Sequence, residues 1–181
     1  MRVVAGSVGG RIIETPAGRD VRPTTDRVRE ALFASLGSLG AVEGVRVLDL
    51  FAGSGALGIE ALSRGAAHAT FVDQAAPSLD SIRRNLRSLD LDGRAEVVRG
   101  EARAYLARTT GLFGLVLLDP PYAWHEWAPL LESVYARLEP SGIVMVESDR
   151  ELAVGDNWEL LRRRRYSATW ITLLRSAEPV G

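Results

Sequence analysis

Val45-Arg46-Val47-Leu48-Asp49-Leu50-Phe51-Ala52-Gly53-Ser54-Gly55-Ala56-Leu57-Gly58 reads as a strand, a tight glycine turn and the opening of a helix. The first six residues are mostly apolar, as in a strand of a parallel sheet covered on both faces. Glycines let a ligand come close to the backbone, and free amides at a helix start attract negative charge. Outward from this point, apolar runs alternate with amphipathic segments. Residues 69–73 form a second strand, and Leu79, Ile82, Leu86 and Leu89 fall at helical spacing after it. Residues 95–99 form a shorter third strand. Leu115 to Leu118 is the most continuous apolar run, and Asp119-Pro120-Pro121 ends it because two prolines forbid further ladder bonding. A helix around Pro129 to Leu138 is expected next, then a turn at Pro140-Ser141-Gly142 and a strand over 143–147. Trp158 to Arg164 and Ala168 to Arg175 alternate polar and apolar residues, the pattern of a C-terminal antiparallel hairpin. The fold class is α/β: a Rossmann-like, seven-stranded mixed sheet with helices on both faces.

Ahead of this pattern lies a Gly-, Arg- and Pro-rich arm, residues 1–25, suited to substrate recognition. It leads into a helix in which Val28, Ala31, Leu32 and Leu36 share a face, and residues 26–181 make up the main domain. The chain of 181 residues, 46% hydrophobic and 25% charged, has the size and composition of one globular domain with one core. No apolar stretch reaches the roughly 18 to 20 residues of a membrane span, and the residues after Met1 lack the apolar core of a signal peptide. A soluble, cytoplasmic monomer is expected. With no cysteine and 2 histidines, thiolate sites are excluded and no metal is expected. A net charge of −1 excludes global basicity, so nucleic-acid binding has to come from local patches. Every basic residue is arginine, which reads as a composition bias.

Gly53, Gly55 and Gly58 also satisfy a dinucleotide fingerprint, so they do not by themselves separate a nicotinamide enzyme from a methyltransferase. Asp49 favours the latter. A carboxylate aimed into the crevice repels a pyrophosphate and suits the cationic amino-acid end of S-adenosyl-L-methionine. Phe51, Ala52, Gly53, Ser54 and Gly55 would wrap that cofactor, Asp73 would accept the ribose hydroxyls, and Glu101-Ala102 would lie beside the adenine. Asp119-Pro120-Pro121-Tyr122 completes the catalytic reading. An exocyclic base amine is a poor nucleophile, because its lone pair is delocalised into the ring. Asp119 and the Pro120 carbonyl would accept its N–H bonds, Pro121 would stiffen the loop, and Tyr122 would stack on the base. Trp124, His125 and Trp127 form either an aromatic lid or simple packing, and His68 reads as a surface residue. Arg2, Arg11, Arg19, Arg22, Arg27 and Arg29 concentrate near the N-terminus as a phosphate-binding signal, whereas Arg162 to Arg165 read as a solvated edge.

Arg22-Pro23-Thr24-Thr25-Asp26-Arg27-Val28-Arg29-Glu30, then Asp49 to Arg64, then Asp119 to Tyr122, closely resemble the RsmD family, and the similarity runs in order along nearly the whole chain. These are bacterial enzymes that methylate N2 of a guanine in small-subunit ribosomal RNA. The resemblance implies S-adenosyl-L-methionine as cofactor and 16S ribosomal RNA, in a small subunit or its assembly intermediate, as partner. It also implies that Arg11, Arg22, Thr24, Thr25, Arg27 and Arg29 face the RNA and close over the cofactor. The rival readings are an amino methyltransferase acting on DNA adenine or protein glutamine, a nicotinamide-dependent oxidoreductase, and a non-catalytic binding module.

Overall fold

The computed structural model describes residues 1–16, 26–121 and 124–177. In chain order it contains α1 (Asp26–Ser38), β1 (Arg46–Leu50), α2 (Ala56–Ser63), β2 (His68–Asp73), α3 (Ala76–Ser88), β3 (Ala95–Arg99), α4 (Ala102–Arg108), β4 (Phe113–Leu118), α5 (Trp127–Tyr135), β5 (Leu138–Ser148), β6 (Trp158–Tyr166) and β7 (Thr169–Ser176). The strands form one 7-stranded sheet in the order β3-β2-β1-β4-β5-β7-β6. β1 to β5 run parallel, and β7 lies antiparallel between β5 and β6. The chain winds outward from β1 to β3, then returns to place β4 on the other side of β1. This reversal opens a crevice at the carboxyl ends of β1 and β4, the place where open α/β sheets bind ligands.

Alternation along the strands divides the core in two. Val47, Phe71, Leu115, Leu117, Met145 and Leu173 pack with Leu32, Phe33 and Leu36 of α1, Ile59 and Leu62 of α2 and Ile82 and Leu86 of α3. Leu48, Leu50, Val72, Val116, Leu118, Val144 and Val146 pack on the other face, with Leu106 of α4 and Leu130, Leu131 and Val134 of α5. Each such side chain contributes about 1.5–3 kcal/mol on leaving water, and both layers hold the central strand ends in fixed register.

The first sixteen residues are fastened to the domain. Met1, Val3, Gly10, Arg11 and Ile13 exchange antiparallel backbone bonds of 2.8–2.9 Å. Glu60 of α2, fully buried, accepts the amides of Val4 at 2.7 Å and Ala5 at 3.1 Å. Ser7 donates its amide to the Ser63 carbonyl at 2.7 Å. Asn85 of α3 clamps Glu14 in both senses, its Oδ1 accepting the Glu14 amide and its Nδ2 donating to the Glu14 carbonyl, each at 2.9 Å.

Three local expectations need correction. The buried stripe of α1 is Arg29, Leu32, Phe33 and Leu36, with Val28 and Ala31 only half-buried. The helix expected as far as Leu138 stops at Tyr135, and Leu138 already belongs to β5. Pro140-Ser141-Gly142, read as a turn before a strand, lies inside β5 as an irregularity. There the register jumps between Phe113↔Leu138 and Leu115↔Ile143, and Ser141 takes φ 64°.

Candidate active site

The crevice holds a cavity of about 740 Å³, a volume typical of small-molecule sites. Its floor is the loop after β1. Asp49, one residue from the end of β1, is 1% exposed and accepts the Gly58 amide on Oδ2 at 2.9 Å. Gly58 has no alternative at this position: a Cβ there would lie 2.3 Å from Phe71 Cε1 and 3.0 Å from that same Asp49 oxygen. Burial, opposed by the Gly58 amide and assisted by the charge of Asp73, pushes the Asp49 carboxyl up to about 8. A cation entering the cavity would draw that proton off, so the site suits the ammonium and sulfonium of adenosylmethionine.

Asp73 ends β2 and is wired to backbone. Its Oδ2 accepts the Gly53 amide at 2.9 Å and its Oδ1 the Ala75 amide at 2.8 Å. Asp73 lines the cavity, where a carboxylate is the residue type that would accept a ribose diol. Ser54 is braced from behind, its carbonyl accepting Asn85 Nδ2 at 3.0 Å. The same asparagine therefore ties the N-terminal arm to the glycine loop.

The transfer corner stands at the ends of β4 and β5. Leu118 pairs with Val146 in parallel register, so the residues that follow stand side by side: Asp119 leaves the sheet there, while Glu147 stays in β5, paired with Ile171 of β7. Asp49, paired with Leu117, shares their face. All three carboxyls line the cavity with Pro120, Pro121 and Trp124. Burial, then the charges of Glu147 and Asp49, raise the Asp119 carboxyl well above its ordinary range. Phe51, held at φ 62°, meets Trp124 edge-on with ring centroids 5.0 Å apart. Trp124 thus forms cavity wall, while Trp127 packs into the core under α5 and His125 is exposed near Arg150.

Of the residues expected at the site, Asp49, Phe51, Ala52, Gly53, Ser54, Asp73, Ala102, Asp119, Pro120 and Pro121 all line this cavity. Gly55 and Glu101 do not. Gly55 opens α2 at φ 79° and faces Ile82, Ile59 and Phe71. The Glu101 carboxylate caps α4, accepting the amides of Arg103 at 2.9 Å and Ala104 at 2.7 Å, so its neighbours Gly100 and Ala102 form the wall instead. Arg29, expected to face RNA, is 1% exposed and paired with Asp26 and Glu60, so it is no surface contact. Arg11 and Arg27 are exposed. Arg22, Thr24, Thr25 and Tyr122 lie outside the described residues. The sequence reading missed Glu147, Met1 and Pro16 as lining residues; the signals for Glu147 were the alternation of β5 beside β4 and the family resemblance of Val146-Glu147-Ser148. Arg162 and Arg163 bond within the fold to Ser35 and Leu152, leaving Arg164 and Arg165 as the exposed part of the β6 edge.

A family described as Conserved hypothetical protein 95 matches residues 1–175. The chain belongs to this family, the RsmD family. It is 38% identical to Ribosomal RNA small subunit methyltransferase D of Escherichia coli K12, over 91% of this chain and 84% of that protein. To the Bacillus subtilis protein YlbH it is 40% identical over 97% of this chain and 98% of that one. The solved structure of the Escherichia coli protein yhhF superposes with a TM-score of 0.87 at 35% identity, covering 98% of this chain and 99% of that one. Family membership and the strand order together make the fold that of a class I methyltransferase.

Proposed function

We propose that this chain transfers a methyl group from S-adenosyl-L-methionine to the exocyclic N2 amine of a guanine in 16S ribosomal RNA. The observation that carries the reading is that Asp119-Pro120-Pro121 opens into the same cavity as Asp49 and Asp73. The bound cofactor supplies an electron-poor methyl carbon. Asp49 would hold the ammonium of that molecule and Asp73 its ribose, and Asp119 and the Pro120 carbonyl accept the two N–H bonds of the amine, aiming its lone pair at the carbon. As the N–C bond forms and the methyl–sulfur bond breaks, which would leave neutral S-adenosylhomocysteine, positive charge builds on nitrogen next to Asp119 and Glu147, where two carboxyls stabilise it, and Asp119 takes the departing proton. A cation in the cavity would favour the ionised form of Asp119, the form that accepts the amine N–H.

The name of the Escherichia coli relative supports a small-subunit RNA substrate, presented in the particle or its assembly intermediate. The arm of residues 1–25, with exposed Arg2 and Arg11, and Arg27 at the start of α1, would meet the phosphates, together with Arg22, Thr24 and Thr25; Tyr122 would stack on the base. None of these steps calls for a metal or a second subunit, and the protein would act as a monomer in the cytoplasm. The test is incubation with tritiated S-adenosylmethionine and, in parallel, small ribosomal subunits from cells lacking the endogenous enzyme, duplex DNA, or protein, followed by nucleoside and amino-acid analysis. Label in N2-methylguanosine is the expected result. Label confined to duplex DNA or protein would move the substrate to adenine or glutamine.

A further inference from the structure

We propose that Arg29 binds the α-carboxylate of the cofactor's amino-acid end. This rests on reading the cavity as an adenosylmethionine site. Arg29 projects from α1 into the cavity wall and is 1% exposed. Its Nη2 donates to Asp26 Oδ1 at 2.9 Å and to the Arg2 carbonyl, and its Nε stands 3.6 Å from Glu60. Nη1 is buried with no hydrogen-bond partner. A buried, charged N–H group left unpaired is costly, and a ligand acceptor removes that cost.

The cofactor carries one anionic group, the α-carboxylate, and the cavity is otherwise hostile to it. Asp49, Asp73, Asp119 and Glu147 line the walls, and Arg29 is the only basic side chain among the described lining residues. With the ribose at Asp73 and the methyl at Asp119, the amino-acid end lies toward Asp49 and α1. Asp49 then faces the ammonium and Arg29 the carboxylate, matching the zwitterion. Burial keeps Arg29 from an RNA phosphate, and its ion pairs with Asp26 and Glu60 hold the guanidinium in place before the ligand arrives.

The test compares the affinities, by calorimetry, of S-adenosylhomocysteine and of S-adenosyl-3-thiopropylamine, the same molecule without its carboxylate. Wild type should favour the former by about ten- to a hundredfold, the range of a charge-assisted hydrogen bond. In Arg29→Met that preference should fall to about one while the thiopropylamine affinity stays unchanged, which a purely structural role does not predict. The same preference in both proteins overturns the assignment to Arg29 alone, whereas wild type binding neither ligand overturns the cofactor reading as well. Should Arg29→Met fail to fold, NMR of the unaltered protein decides. The Nε–H signal of the one arginine fully buried among the described residues should shift with S-adenosylhomocysteine and stay put with the thiopropylamine; an equal response to both overturns the proposal.

Discussion

Asp73 and Asp119 end neighbouring parts of one sheet and face one cavity, yet their surroundings prepare them for different work. Asp73 has backbone amides on both oxygens, so the end of the site proposed to take the ribose is fixed in advance. Asp119 has Glu147 beside it and Asp49 on the same face, and burial with like charge opposes its ionisation. On the proposed reading one half of the cavity is a finished receptor, and in the other an entering cation and N–H donors would favour the ionised acid. Binding and chemistry should therefore be separable by mutation, and each prediction below tests that separation.

The largest expected effect is at the transfer corner. Asp119→Ala should lower turnover by about a hundred- to a thousandfold, the scale for removing a transition-state acceptor. Cofactor affinity should change little, because the ribose contacts stay in place. Single-turnover rates beside calorimetric affinities check both parts, and a variant with full turnover would remove Asp119 from the mechanism. At the receptor end the pattern should invert. Asp73→Ala strips the Gly53 and Ala75 amides of their acceptor as well as the ribose of its own. Cofactor affinity should fall about ten- to a hundredfold, at about 1.4 kcal/mol per tenfold, with turnover largely kept at saturating cofactor. Equal losses in affinity and turnover for both variants would mean that the two halves are not independent.

Gly58 tests how tightly the finished half is built. An added methyl group meets Phe71 at 2.3 Å and crowds the oxygen of Asp49. Gly58→Ala should destabilise the fold by about 1–3 kcal/mol, as overpacking does, and weaken cofactor binding through the shifted loop. Chemical denaturation reads the first effect. A variant of unchanged stability would show that the loop after β1 yields more readily than its packing implies.

What was legible in the sequence follows the same division. The strand ends carrying Asp49 and Asp119 were readable because runs buried on both faces are largely apolar and glycine or proline marks where they stop, and Asp73 closes a mostly apolar run that begins at Ala69. β5 was harder. Pro140-Ser141-Gly142 has turn chemistry, and only the partner strand shows that the chain stays in the sheet through a bulge. Arg29 was misread for a related reason. Arg29, Leu32, Phe33 and Leu36 keep perfect helical spacing, but an arginine does not announce burial, and its counter-charge, Glu60, comes from a helix far along the chain. The Glu101 carboxylate was assigned to the adenine because its place after β3 was legible and the helix it caps, seven residues long, was not.

The smallest expected effect concerns Asp49, which belongs to the finished half by its Gly58 bond and to the other half by its proton. Its carboxyl lies near 8 in the folded protein against an ordinary 3.8. Between those values the native state holds a proton that the unfolded chain releases. This contribution to stability is therefore greatest at low pH, shrinks as pH rises from about 4 to about 8 and is flat above that, with a slope of at most about 1.4 kcal/mol per pH unit. Water entering the cavity relaxes the burial penalty, so the net change from about pH 5 to about pH 8.5 should be on the order of 1 kcal/mol. Asp49→Asn should flatten the pH dependence of the denaturation midpoint. Saturating S-adenosylmethionine should flatten it in the unaltered protein too, because the ammonium ionises Asp49 on binding and releases its proton to the buffer. Identical pH profiles in the variant and the unaltered protein would show that another group carries the titration, and would leave the Gly58 bond as the whole of Asp49's work in the free protein.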